Sequence, residues 1–304
     1  MKKAIVTGGA GFIGQYLCKH LQLSGWEVVA LDLKPLPPGF KQLGVAYQPA
    51  DIRYTGWWRH LSGDVLYHLA AAPWGMVDPD PLFLEVNYTG TVIALNAAHE
   101  MGSRFILASS AQVYGPPVVS PQTEEHPLLA VNHYSKSKIL AERSVAEYQE
   151  MGLGKAIAAR FANVYGPGQY RGAVIPDLIA KLHGERNVLT LQGTGQETRD
   201  FIYAEDIVGA LRLLGETEEL EEGTYNIGSG TSTTIETLAK SLMEIIGRKI
   251  PIEYTGVLSL RDAKQESPRA LDCSRLRGEL GWTPQWSLNR GLWKTVEACG
   301  REKQ

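Results

Sequence analysis

Ala4-Ile5-Val6-Thr7-Gly8-Gly9-Ala10-Gly11-Phe12-Ile13-Gly14 is the stretch on which the reading of this chain turns. Ala4 to Thr7 is a short strand-forming run bounded by Gly8-Gly9. Phe12, Ile13, Tyr16, Leu17 and Leu21 then recur at helical spacing until Ser24-Gly25 stops them. Strand, glycine turn and helix in that order point backbone amides at an anion held on a helix N-terminus. Gly8, Gly11 and Gly14 have the spacing for a tight turn, close approach of backbone to a pyrophosphate, and close packing of helix on strand. Alone, such a stretch is also an ordinary glycine turn, so its surroundings decide.

The surroundings repeat the pattern. Val28 to Leu31 is the next strand and ends at Asp32. An acid there accepts hydrogen bonds from adenosine ribose hydroxyls and repels a 2′-phosphate, which favours NAD over NADP. Lys34 nearby works the other way, because a basic residue tolerates that phosphate. Asp51-Ile52 follows a third strand around Val45 to Tyr47 and is placed to contact adenine, although an Asp at a strand end is also a common turn residue. Val65 to Leu69 reads as a fourth strand, Arg104 to Ala108 as the fifth and Ala156 to Phe161 as the sixth. Asp80-Pro81 reads as an N-cap with proline at the first helical position of a helix running to about Glu100, and 132–149 as another helix. Strands separated by helices of this length require right-handed crossovers and a parallel sheet. The fold class is therefore α/β, a doubly wound parallel sheet of Rossmann type.

Beyond residue 166 the rhythm breaks into Gly166-Pro167-Gly168, short strands near 188–191 and 250–254, and helices near 174–182, 204–214, 235–246, 275–280 and 288–299. This divides the chain into a dinucleotide domain, 1–168, with 203–228 packing back onto it. A smaller mixed α/β lobe of 169–202 and 229–304 lies over the edge where such sheets bind ligands.

Composition bounds the function. The 304 residues are 44% hydrophobic and 21% charged, and 30 Lys plus Arg against 33 Asp plus Glu leave a net charge of −3. That balance argues against an electrostatic grip on nucleic acid or anionic membrane. Cys18, Cys273 and Cys299 form neither a disulfide framework nor a metal knuckle, and the histidines make no ligand pair, so no metal is expected. No leader pattern and no long apolar run appear, and the expectation is a reduced, cytoplasmic protein.

Tyr134 and Lys138 lie four apart on a predicted helix and share a face. A tyrosine of pKa near 10 is a poor base; an ammonium and a cationic nicotinamide close by would bring it toward the working range, at roughly 4 kcal/mol for about three units. Ser109-Ser110 ends the fifth strand on the same sheet edge as the glycine turn, where a hydroxyl can bind the substrate oxygen that Tyr134 deprotonates. The plain alternative for the serines is strand termination. Glycine turn, hydroxyl and Tyr/Lys pair converge on one edge, which is the constellation of a redox site.

On these residues the chain resembles the extended short-chain dehydrogenase/reductases, in particular the NAD-dependent epimerase/dehydratase group acting on nucleotide sugars. The resemblance runs through TGGAGFIG (7–14), Asp32, Asp51-Ile52, HLAA (68–71), NYTGT (87–91), SSAQVYG (109–115) and YSKSK (134–138). It continues through RFANVYGPGQ (160–169), GTGQETRDFIYAED (193–206) and YNIG (225–228). It implies that Gly8, Gly11, Phe12, Ile13, Gly14, Asp32, Asp51, Ile52, Leu69, Ala70 and Ala71 line the NAD site. It further implies that Tyr134 is the base and acid, that Lys138 holds the nicotinamide ribose and lowers the tyrosine, and that Ser110 is the catalytic hydroxyl. Asn163 resembles the residue that contacts the sugar-nucleotide phosphates, and Arg199 the arginine that grips a diphosphate, for which a guanidinium fork is suited. Arg199 paired with Asp200 or Glu197 is its plainer reading. Arg261 fits the second phosphate arginine by spacing, with Arg269 its competitor. The implied partner is a UDP- or dTDP-hexose, and the implied assembly a homodimer through the helices holding Asn87 and Tyr134.

Within the group, 4,6-dehydratases carry an Asp-Glu pair directly after the catalytic hydroxyl, and decarboxylases a Glu in the same stretch. Here Ala111 and Gln112 stand there, and neither titrates. What remains is redox-neutral epimerisation at C4 through a transient 4-keto sugar. The alternatives are a dehydratase with acids relocated to Asp78 or Asp80, an NAD(P)H-dependent 4-ketoreductase, and an idle dinucleotide-binding sensor. Intact Ser110, Tyr134 and Lys138 argue against the last.

Overall fold

A computed structural model describes residues 1–72, 80–220, 223–257 and 269–301. The elements run β1 (Lys3–Thr7), α1 (Phe12–Leu23), β2 (Glu27–Asp32), α2 (Gly39–Gln42), β3 (Ala46–Pro49), β4 (Val65–His68) and α3 (Asp80–Phe83). Next come α4 (Gly90–Met101), β5 (Arg104–Ser110), α5 (His133–Glu150), β6 (Ala156–Phe161), β7 (Asn163–Tyr165) and α6 (Val174–His183). The remainder is β8 (Leu189–Leu191), β9 (Thr198–Tyr203), α7 (Ala204–Glu216), β10 (Thr224–Ile227), β11 (Ser232–Thr234), α8 (Ile235–Ile246), β12 (Ile252–Tyr254), α9 (Ser274–Leu280) and α10 (Leu288–Arg301).

Seven strands form one sheet in the order β10-β6-β5-β4-β1-β2-β3, every neighbouring pair parallel. This is the doubly wound Rossmann sheet expected from the alternation of strand and helix. The order reverses between β1 and β4, and a crevice opens outside the carboxyl ends of strands at such a point. Thr7, Asp32, His68 and Ser110 are the last residues of their strands, so the topology brings them to one edge.

Two apolar layers cover the sheet. One contains Val6, Leu17, Leu21, Tyr67, Ile106, Ile207 and Leu211, and the other Ile5, Leu31, Leu66, Leu95, Phe105 and Val145. Residues alternate between them along each strand, as the two-residue period of a strand requires.

The sequence reading contains no α2, β7, β9 or β11, and two further elements differ from it. The helix expected to run from Asp80 to Glu100 is interrupted by a π-helical turn at Leu84–Thr89, and Gly90 opens α4. A Cβ on Gly90 would stand 2.7 Å from Ile52 Cδ1, so a larger residue there would have to displace the end of that side chain. The seventh strand, β10, is only the four residues Thr224–Ile227, a run too short for its alternation to stand out in the sequence. Its Asn226 is held by tertiary partners, with Nδ2 donating to the carbonyls of Gln122 (2.9 Å) and Asp272 (3.0 Å). These hydrogen bonds outweigh the poor strand propensity of asparagine. Beside the main sheet lie a three-stranded sheet, β11-β9-β7, and the parallel pair β12-β8. Ile179, Leu189, Leu191, Leu238 and Leu242 form their core.

Candidate active site

The glycine turn between β1 and α1 is built without room for side chains. A Cβ on Gly8 (φ +71°) would lie 2.6 Å from Ala70 N, and one on Gly14 only 2.0 Å from Gly8 O. α1 starts with no side-chain cap and no acid in its first turn, leaving the first amides, among them those of Phe12, Ile13 and Gly14, directed out of the helix end. Leu69 N donates to Thr7 O (3.1 Å) and Ala70 N to Thr7 Oγ1 (3.3 Å), which seats Leu69, Ala70 and Ala71 beside the turn. Asp32 faces it from β2, its carboxylate accepting from Ala10 N and Lys34 N, each at 3.0 Å. Glycine cradle, uncapped helix start and strand-end acid fit the pyrophosphate and ribose of a dinucleotide. Asp51 is engaged locally. Arg53 donates to both its oxygens and pairs at 2.6 Å, which holds the carboxyl below its ordinary range. Ile52 beside it is buried.

The Tyr/Lys pair sits at the start of α5. Asn132 caps that helix, its Oδ1 accepting from Ser135 N at 2.8 Å in a capping box. This fixes the first turn and with it Tyr134. The Tyr134 hydroxyl is hydrogen-bonded to the Ser110 side chain. Ser109, next to it, is turned the other way and donates to Glu142. Lys138 is buried and donates from Nζ to Ala108 O at 2.8 Å. Burial pushes the ammonium down to about 8, opposed by the Glu142 carboxylate. Burial pushes the Tyr134 phenol up to about 12, opposed by the hydrogen bond to Ser110. The resemblance implies a phenol lowered by its lysine; within the protein itself the desolvation of the ring wins.

Beneath the pair lies a polar layer that sequence reasoning missed. Arg160 binds Glu142 through Nε (3.1 Å to each oxygen) and Nη2 (2.7 Å), and through Nη1 donates to the Tyr114 hydroxyl (2.9 Å). Tyr114 in turn donates to Asn226 Oδ1 at 2.7 Å. The spacing of Tyr134, Lys138 and Glu142, each four apart on one helix face, was the available signal. Asn87, in the π turn, donates from Nδ2 to Ser137 Oγ (3.0 Å) and accepts from Ala72 N (2.7 Å), tying that turn to α5. His68 shares a hydrogen bond of 2.8 Å with Thr7, and burial drives its ring down to about 3, so it is neutral.

Ser110, Asn163 and Arg199 line one cleft, together with Gln122, Asp200 and Arg269. Asn163 Nδ2 donates to Asp200 O (3.1 Å). The Asp200 carboxylate accepts from the amides of Ser229, Gly230 and Leu271, which fixes the loops around the cleft. Arg269 reaches the cleft with Nη2 donating to Gly115 O at 3.0 Å. Arg261 lies outside the described residues, as does Asp78.

A doubly wound sheet with a glycine cradle at its switch point, beside a Ser/Tyr/Lys cluster, defines the dinucleotide-dependent short-chain class of oxidoreductase fold. The chain belongs to the NAD dependent epimerase/dehydratase family, whose family model matches residues 4–228. It is 32% identical over 97% of its length to the dTDP-D-glucose 4,6-dehydratase of Mus musculus, covering 88% of that protein. It is 30% identical over 95% of its length to the UDP-glucuronic acid decarboxylase 2 of Arabidopsis thaliana, of which it spans 66%, just under two thirds. Among solved structures, the UDP-glucuronic acid 4-epimerase of Bacillus cereus, in complex with UDP-glucuronic acid and NAD, superposes with a TM-score of 0.88 at 26% identity, covering 99% of both chains. Members with three different reactions thus stand at similar distance. Among the described residues, no helix is long and apolar enough to cross a membrane.

Proposed function

We propose that this protein uses NAD to epimerise a nucleotide-diphosphate sugar, a UDP- or dTDP-hexose, at C4. The observation that carries this is the Ser110–Tyr134 hydrogen bond over buried Lys138, in a site where the two residues after the serine are Ala111 and Gln112. That pair has no proton to give in the elimination of water, and the stretch lacks the carboxylate that the decarboxylases of the family place there.

Gly8, Gly11 and Gly14 with the first amides of α1 hold the pyrophosphate, and Asp32 the adenosine ribose. When bound, NAD would supply a hydride acceptor that becomes the hydride donor, together with the positive charge of its oxidised ring. Tyr134 takes the C4 hydroxyl proton, and Ser110 orients that oxygen through its own hydroxyl. Moving a phenol from about 12 to about 7 requires roughly 7 kcal/mol of differential interaction, which needs positive charge beyond the field of Lys138. The phenol therefore keeps its proton until the site is loaded. The keto sugar turns over while Arg199 and a second arginine hold the diphosphate, and Tyr134 returns the proton to the oxygen at C4. A homodimer through the helices around Asn87 and Tyr134 is part of the same reading.

The test is a panel of UDP- and dTDP-hexoses incubated with the purified protein and followed by NMR, with the cofactor released on denaturation assayed in parallel. The expected result is conversion to the C4 epimer, bound NAD, and no net change at the reduced-nicotinamide band. A stable 4-keto-6-deoxy product, a pentose with release of carbon dioxide, or stoichiometric NADPH consumption would each replace this reading with another.

A further inference from the structure

Gln122 is 1% exposed, and its side-chain Nε2 is buried with no hydrogen-bond partner among the described residues. The residue lines the cleft shared by Ser110, Asn163, Arg199 and Arg269. A buried amide donor left unmade costs about 1–3 kcal/mol, and native proteins rarely keep one without a use for it.

The main chain around Gln122 is pinned. Gln122 N donates to Ala270 O (2.8 Å), and Gln122 O accepts from Asp272 N (2.8 Å) and from Asn226 Nδ2 (2.9 Å). The side chain is thus held on a rigid ladder, and the segment cannot slide to give the amide to water. The same ladder carries Arg269, one residue before Ala270, into the cleft.

We propose that Gln122 is a specificity residue whose Nε2 donates to an oxygen of the bound sugar. This rests on the nucleotide-sugar reading above. In that reading Ser110 takes the C4 oxygen and the arginines the diphosphate, and Gln122 lines the same cleft, so the sugar that joins those two ends comes against the residues of this cleft. A donor there selects a sugar presenting an acceptor, either a hydroxyl or a carboxylate, at that point. Of the ten buried side-chain polar atoms without a partner among the described residues, Gln122 Nε2 is the one whose residue lines this cleft, so a ligand oxygen can complete it and the site distinguishes sugars that have the oxygen from those that lack it.

The test compares wild type with Gln122→Met, which keeps the volume and removes the donor. Titration calorimetry measures binding of UDP-glucose, UDP-glucuronic acid, dTDP-glucose, UDP and dTDP. For whichever nucleotide sugar the wild type binds, the variant is expected to bind about three- to tenfold more weakly if the acceptor is a hydroxyl, and more than tenfold if it is a carboxylate. Affinity for the matching nucleoside diphosphate should be unchanged, and urea midpoints should be equal to wild type or higher. Equal sugar affinity in the two proteins, an equal loss for sugar and diphosphate, or a lower urea midpoint in the variant overturns the assignment. Failure of the wild type to bind any nucleotide sugar overturns the parent reading instead, and this one with it.

Discussion

Replacing Lys138 with methionine separates what that residue does for the fold from what it does for the chemistry. The ammonium is buried and falls from 10.5 to about 8, chiefly through desolvation. That difference corresponds to about 3 kcal/mol carried against stability. Below pH 8 the group is charged folded and unfolded, and the full cost is present. Between pH 8 and 10.5 the unfolded chain binds the extra proton, so this residue's contribution makes stability rise with pH, by up to about 1.4 kcal/mol per pH unit. Above that range it is neutral in both states and the cost is gone. Lys138→Met removes the charge and the hydrogen bond to Ala108 O, the latter offsetting about 1 kcal/mol. The variant should therefore be about 1–3 kcal/mol more stable than wild type at pH 7, with the gap closing toward pH 10. Urea unfolding of both proteins at half-unit steps from pH 7 to 10 gives the difference curve. Buried phenols and thiols pull stability the other way in the same range, but they do so in both proteins and cancel. Two parallel curves would refute the reasoning, as would a variant less stable than wild type throughout.

Three further outcomes follow from the geometry. Tyr134→Phe should keep the NAD content of the purified protein while turnover of its nucleotide sugar falls by about 10²–10⁴, read by NMR. Glu142→Gln leaves Arg160, whose side chain is 7% exposed, without its carboxylate and should cost about 3–5 kcal/mol in urea unfolding. Glu142→Gln combined with Arg160→Met should recover most of that loss. Gly14→Ala sets a methyl 2.0 Å from Gly8 O, so the turn must open; copurifying NAD should disappear while the far-ultraviolet circular dichroism is retained.

Lys138 also shows how far a sequence can be read. Its spacing from Tyr134 announced a shared helix face, and the capped start of α5 bears that geometry out. The sign of the electrostatics was not legible. Whether an ammonium lowers a phenol depends on how much water both have lost, and burial here moves the two groups in unfavourable directions. Arg269 is a similar case. Spacing offered Arg261, which lies outside the described residues, with Arg269 its competitor; that Arg269 is carried into the cleft is visible only in the ladder through Gln122, Ala270 and Asp272. Gln122 gave no signal at all, because an unpaired amide is defined by what surrounds it.

The chain's local chemistry determined the parallel sheet, the glycine cradle, the acid at the end of β2 and the Tyr/Lys face, since each depends on short-range spacing and on a two- or 3.6-residue period. Folding decided the seventh strand, the π turn that brings Asn87 to α5, the charge layer under Lys138 and the composition of the cleft. Those features join residues up to about a hundred and fifty positions apart, such as Gly115 with Arg269. Their energies come from desolvation and hydrogen-bond closure, quantities that exist only once distant segments have excluded water from between them.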